Sequence, residues 1–236
     1  MNEHTTHKIP GFSFSSVASG IKAGNEYDLG LIVSHVDAQV CGLFTTNKVK
    51  SAPVLLSMER VQNRFGRAII ANSGNANACT GDAGIEDANK IGKLIAHCLN
   101  IDEHMVLLAS TGVIGVPLPF KKIETAIPNL ISSLSEEGLH TFAHAIMTTD
   151  TFPKVSVKKC TLSGKEVTIG GIAKGSGMIM PHLATMLAFV VTDISIEHEL
   201  LQRAFVSSVH KSLNCITVDG QTSTSDTALI MANGVA

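Results

Sequence analysis

Short apolar runs alternate along this chain with stretches of helical spacing. Asp28 to Val36 and Ala38 to Phe44 predict two strands, Arg67 to Asn72 a short buried one and Met105 to Ala109 another. Lys154 to Cys160 and Val167 to Ala173 predict a hairpin about Ser163-Gly164. Met186 to Val191 is apolar throughout, as a strand buried on both faces is. Ile85, Ala88, Ile91, Ile95 and Cys98 fall near helical spacing behind Asp82, which reads as an N-cap. Leu134, Leu139, Phe142, Ala143 and Ile146 predict a second helix, and Leu200, Leu201, Ala204, Phe205 and Val209 an amphipathic third. Strands mixed with helices predict an α/β chain with large sheets covered by helices; periodicity does not supply its topology.

Composition narrows the function classes. The 236 residues are 44% hydrophobic and 16% charged with a net charge of −2, enough apolar material for a core and no basic surplus for nucleic acid. Aromatics are 4% and tryptophan is absent, which argues against base-stacking platforms. Met1 to Pro10 is polar and unlike a signal peptide, and no apolar run approaches a membrane span. Cys41, Cys79, Cys98, Cys160 and Cys215 are scattered and never form Cys-x-x-Cys; they read as cytosolic free thiols, with no metal site expected. Gly170-Gly171 and Gly175-Ser176-Gly177 match neither the dinucleotide fingerprint nor a P-loop.

The densest chemistry sits in Lys174-Gly175-Ser176-Gly177 and the residues up to Leu187. A glycine-rich loop runs into Ala184-Thr185 and then a buried strand, delivering one hydroxyl along a backbone with few side chains in the way. A threonine hydroxyl is a weak nucleophile unless a base takes its proton. A chain-initial threonine carries its own base, because an α-amine has a pKa of roughly 8. Cleavage before Thr185 would therefore create the catalyst along with the chain end. Read from the residues alone, the loop also suits an ordinary glycine turn entering a strand.

The wider chain resembles the ornithine acetyltransferase family, the glutamate N-acetyltransferases of arginine biosynthesis. Pro10-Gly11-Phe12, Gly20-Ile21-Lys22, Phe44-Thr45-Thr46-Asn47 and Ala52-Pro53-Val54 are similar to its opening blocks. The stretch from Asn72 through Ser73-Gly74-Asn75-Ala76-Asn77-Ala78-Cys79-Thr80 to Gly81 is highly specific to it, as are Thr148-Thr149-Asp150-Thr151 and Thr217-Val218-Asp219-Gly220. These blocks stand in the family's order from about Ile9 to Ala236. His182 is a departure, standing where the family usually has asparagine.

That resemblance implies a fold of two mainly antiparallel sheets between helix layers, an αββα sandwich shared with self-cleaving aminopeptidases. It implies self-cleavage at Ala184/Thr185, giving an α chain of residues 1–184 and a β chain beginning at Thr185. Thr185 would then carry acetyl from N-acetylornithine to glutamate. Thr111 and Gly112 match the family's oxyanion hole, and Thr148, Lys174 and Thr185 its substrate-contacting positions. Without the resemblance, Ser110-Thr111-Gly112 reads as a plain strand-to-loop turn. No cofactor is implied, although acetyl-CoA is a conceivable second donor. The expected setting is the cytoplasm, with a homo-oligomer of cleaved α/β pairs, and without nucleic-acid or membrane partners. Relatives that instead act as self-cleaving aminopeptidases or amidases generally start their new chain with serine, so Thr185 favours the transferase.

The family's chain after the cleavage point is longer than the 52 residues that follow Ala184 (236 − 184). It supplies a further glutamate and C-terminal residues to the substrate site. The expectation is a truncated chain that transfers acetyl poorly by itself, or an inactive remnant. The apolar run Ala228 to Met231 is expected to leave an unpaired strand edge.

Overall fold

A computed structural model describes residues 7–178 and 186–236. Ala184, Thr185 and His182 lie outside the described residues. The longest strand organises the rest. β2 (Leu29–Phe44) is one strand of 16 residues, where the sequence pattern predicts two. The break expected at Asp37, between the strands predicted to end at Val36 and begin at Ala38, is instead an irregularity at which the register shifts between Val33 and Ala38. A bulge bends a strand without ending it. The first half of β2 pairs with β1 (Phe12–Val17) and β3 (Phe65–Asn72), and its last six residues pair with β8 (Thr227–Ala232).

The resulting path runs β4-β3-β2-β8-β7-β6-β5, with β1 alongside β2. Here β4 is Val106–Ser110, β5 Lys154–Leu162, β6 Lys165–Lys174 and β7 Leu187–Thr192. The β3–β4 and β7–β8 pairs are parallel, and the others are antiparallel. β5 and β6 form the expected hairpin, with Ser163 and Gly164 at φ 51° and 81°. β8 lies between β2 and β7, paired on both sides, so the expected open edge there does not exist.

The bent sheet encloses an inner core, and helices cover both outer faces. In β3, Ile69 and Ala71 face the inner core, while Ala68 and Ile70 face the outer one, as the alternation of a strand requires. Leu229 and Met231 of β8 and Phe189 of β7 enter the same inner core from the other half. α4 (Leu139–Ala145) is wedged into it, and Phe142 meets Phe189 edge-on with ring centroids 5.6 Å apart. Outside, α1 (Ala52–Arg60), α2 (Gly81–Leu99) and α3 (Phe120–Ser132) cover β2–β4. α5 (His198–Lys211) covers β7 and β8. This is the expected α/β sandwich, built from one continuous eight-stranded mixed sheet where two separate sheets were expected.

Several further elements differ from expectation, among them β1 and α1, which the apolar pattern does not predict. α2 begins at Gly81 with Thr80 as its N-cap residue, so Asp82 lies in the first turn and complements the helix dipole instead of capping it. α4 begins at Leu139, and Leu134 packs against the outer core instead. α3 went unpredicted because Pro128 inside it and Pro117 and Pro119 before it read as helix breakers.

Candidate active site

The Asn72-to-Gly81 block is a lattice of side-chain clamps on backbone. Asn72 Nδ2 donates to the Asn75 carbonyl at 2.9 Å, while Asn72 Oδ1 accepts from Ser110 Oγ at 2.5 Å. Asn75 Nδ2 donates to the carbonyls of Val116 and Pro117 at 3.1 and 3.2 Å. Asn77 Nδ2 donates to the Gly84 carbonyl at 2.8 Å, and Thr80 Oγ1 donates to Asn77 Oδ1 at 2.8 Å. Each asparagine satisfies polar groups that burial would otherwise strand.

This lattice fixes the turn after β4. Thr111 N donates to the Asn72 carbonyl at 3.0 Å, and Thr111 and Val113 both form bridges with Asn75. Gly112 has φ +132°, and a Cβ there would sit 2.4 Å from the Gly74 carbonyl carbon and 2.6 Å from Asn75 N. Only glycine fits so close a backbone approach.

Thr111 and Gly112 form one wall of a cavity of about 470 Å³, within the range typical of small-molecule sites. Thr148, Lys174, Lys22 and Ser223–Ser225 line it as well. Met178, the last described residue before the 179–185 segment, lines it too. The structure therefore brings Thr111, Gly112, Thr148 and Lys174 to one place from three stretches of chain. A larger groove, about 750 Å³, lies between α5 and the β5–β7 face. Its lining is mostly apolar, and Lys154 is its one charged residue, so chemistry selects the smaller cavity.

Two buried charges shape the cavity. Lys174, at the end of β6, is 2% exposed and donates to Thr148 Oγ1 at 3.0 Å. Burial lowers its pKa to about 8, against the opposing pull of Asp150 and Asp226. Asp226 is fully buried at the head of β8. Its Oδ1 accepts from Met186 N at 2.8 Å, and Thr227 N donates to the Met186 carbonyl at 3.0 Å, so both sides of the residue after Thr185 are pinned. Among the described residues Asp226 Oδ2 has no hydrogen-bond partner, and burial raises the carboxyl to about 7, with the bond from Met186 working against it.

Asp150 organises the other side. It accepts from Lys154 Nζ at 2.6 Å, Gly175 N at 2.7 Å and Thr148 N at 3.3 Å. Burial alone would raise its pKa, but these donors outweigh it and hold the carboxyl below its ordinary value. Its bonds to Thr148 and Gly175 fasten the residues either side of the Lys174 contact.

Sequence reasoning quoted Asp150 and Lys22 only as parts of motifs and missed Asp226 and Ser223–Ser225. The available signal was the hydroxyl-rich Thr222-Ser223-Thr224-Ser225 with a carboxylate set directly before an apolar run. Among the described residues, no group of three or more histidine, cysteine or acidic side chains could hold a metal.

The model of the ArgJ family matches residues 13–236. The arginine biosynthesis bifunctional protein ArgJ of Geobacter sulfurreducens is 54% identical over 228 residues, which is 97% of this chain and 58% of that protein. The chain thus spans a little over half the length of that relative. A crystal structure of ArgJ from Bacillus halodurans matches with a TM-score of 0.71 at 40% identity, covering 77% of this chain and 95% of that one. Ornithine acetyltransferase from Mycobacterium tuberculosis, solved with ornithine bound, matches with a TM-score of 0.67 at 35% identity, covering 76% and 94%.

Proposed function

The chain belongs to the ArgJ family, and from that premise we propose that it serves acetyl transfer from N-acetylornithine to glutamate through an acetyl-threonine. The observation that carries this reading is the shared cavity. The Thr111–Gly112 turn, the Lys174–Thr148 pair and Met178, at the near end of the cleavage segment, all line it.

The proposed route begins with cleavage. The Thr185 hydroxyl attacks the Ala184 carbonyl, the peptide nitrogen leaves with a proton, and water hydrolyses the ester. This leaves an Ala184 carboxylate and a free Thr185 α-amine. That amine then takes the hydroxyl proton as Thr185 attacks the acetyl carbonyl. The Thr111 hydroxyl and Gly112 N–H would donate to the oxyanion formed in both steps. Ornithine departs with the proton, and the glutamate amine attacks the acetyl ester, breaking its bond to the Thr185 oxygen, which takes the amine's proton through the α-amine as N-acetylglutamate leaves. Lys174 would hold the α-carboxylate that donor and acceptor share, with Thr148 orienting its ammonium.

The route needs no cofactor, and acetyl-CoA would enter it only as a second acetyl donor. We assign the reaction to the cytoplasm, in keeping with five cysteines that are all free and with the lack, among the described residues, of any helix long and apolar enough to cross a membrane. A homo-oligomer of cleaved α/β pairs is part of the same proposal.

Intact-mass measurement combined with an acetyl-transfer assay tests it. The expected result is two fragments meeting at Ala184/Thr185, with acetyl label passing from N-acetylornithine to Thr185 and then, more slowly than in a relative of full length, to glutamate. A chain that stays whole and never takes up label overturns the proposal.

A further inference from the structure

The cavity has a second cation, Lys22, and a buried device holds it in place. Asp28 is fully buried, and its carboxylate accepts from Ser19 N at 2.6 Å, Ser19 Oγ at 2.7 Å and Lys22 N at 2.9 Å. Its own backbone is fastened to the core, with Asp28 N donating to the Val17 carbonyl at 3.2 Å and Ser73 N donating to the Asp28 carbonyl at 2.8 Å. One carboxylate thus folds the loop between β1 and β2 into a fixed bracket. The bracket presses on the oxyanion turn. A Cβ on Gly74 would lie 2.9 Å from Ile21 Cγ2 and 3.1 Å from Lys22 Cγ, and Gly74 is the residue against which Gly112 packs.

A solvated loop lysine needs none of this. Lys22 is half-buried and lines the same cavity as Lys174, whose charge it opposes. Among the described residues its ammonium makes one long hydrogen bond, 3.2 Å to the Tyr27 carbonyl. Burial lowers its pKa, with Glu26, Asp28 and Asp150 pulling the other way. A cation kept partly dry and lightly held is available to a ligand.

We propose that Lys22 determines acceptor specificity in this cavity by taking the side-chain carboxylate of a dicarboxylic amino acid. The proposal rests on the acetyl-transfer reading for the identity of the acceptor. Glutamate and N-acetylornithine share an α-carboxylate, which occupies one lysine. They differ at the far end, where one carries a carboxylate and the other an ammonium. Lys22 attracts the first and repels the second. With the donor bound, Lys22 stays on the Tyr27 carbonyl beside Glu26. With the acceptor bound, it turns to the carboxylate.

Glutamine is the discriminating probe, because it keeps glutamate's shape and loses the charge. Calorimetric titration of glutamate and glutamine into the protein and into Lys22→Met and Lys22→Arg gives binding without requiring turnover. The expected result is a preference for glutamate of roughly tenfold or more, from one charge-assisted hydrogen bond. That preference should be lost in Lys22→Met and largely kept in Lys22→Arg. In a parallel transfer assay, Lys22→Met should raise the KM for glutamate by a similar factor, while the KM for N-acetylornithine falls because the repulsion of its ammonium is removed. A preference that depends on Lys22 without any acetyl transfer sinks the acetyl-transfer reading and leaves the subsite standing. Transfer with a preference untouched by Lys22→Met sinks the subsite alone. No preference in the unmutated protein also sinks the subsite.

Discussion

The ammonium of Lys174 lies 3.0 Å from the hydroxyl of Thr148, joining the end of β6 to the residues after α4 across the cavity wall. The lysine is almost wholly buried, so that hydroxyl offsets part of a desolvation penalty. Thr148→Val keeps the shape and removes the acceptor. It should destabilise the protein by about 1–3 kcal/mol at pH 7. The folded pKa of Lys174, about 8, is below its ordinary 10.5, so its burial penalty fades as pH rises from about 8 towards 10.5. The difference between variant and parent in urea denaturation should therefore shrink between pH 7 and pH 10. A gap that stays constant over that range contradicts this account.

Asp226 gives the opposite slope. Its folded pKa, about 7, exceeds the ordinary 3.8, so the folded protein holds the proton more tightly between those values. Stability tied to that proton is complete below about pH 4 and is lost as pH climbs to about 7. Asp226→Asn keeps an oxygen for Met186 N and cannot ionise. Thermal unfolding should show the parent losing stability relative to Asp226→Asn by a few kcal/mol from pH 4 to pH 7. Parallel pH profiles would contradict it.

Part of the sandwich could be read from the chain because some strands are short apolar runs whose burial is decided locally, as in β7, and because the Ser163-Gly164 turn marks the β5–β6 hairpin. β2 could not be read as one strand, since its bulge looks like the polar turn that usually separates two. For the site, the asparagine-rich block was conspicuous, but the jobs of its asparagines were not: Asn75 reaches Val116 and Pro117, over forty positions away. Asp226 was invisible for the same reason. Whether a carboxylate at a strand end is solvated or sealed depends on what the parallel neighbour β7 brings alongside, and register across such distances leaves no local mark.

Gly112 tests how rigid the proposed oxyanion turn is. Gly112→Ala places a methyl 2.4 Å from the Gly74 backbone, which no rotamer relieves. The turn or the Asn75 bridge must move, and several kcal/mol of stability should go with it, as for other strained backbone sites and overpacked contacts. Circular dichroism melts should show a large fall in Tm. An unchanged Tm would mean the turn is looser than its geometry indicates.

The hydroxyl of Thr111 separates the structural role of that turn from its chemical one. Thr111 is buried, and its backbone is held by Asn72 and Asn75 whatever its side chain is. Thr111→Val is nearly isosteric and should fold to a protein within about 1 kcal/mol of the parent. Cleavage and acyl transfer both pass through an oxyanion, so one lost donor should slow both by roughly 10²–10³-fold. Thr111→Ser should restore both. Thr185→Ala is the necessary contrast: it removes the nucleophile, so cleavage and acetylation should vanish together instead of slowing. Mass spectrometry over a time course reads cleavage, and labelled N-acetylornithine reads acetylation. If Thr111→Val slows neither step, the turn holds the cavity wall and takes no part in the chemistry. If it slows transfer but not cleavage, the two reactions use different donors, and the single-site route fails at its first step.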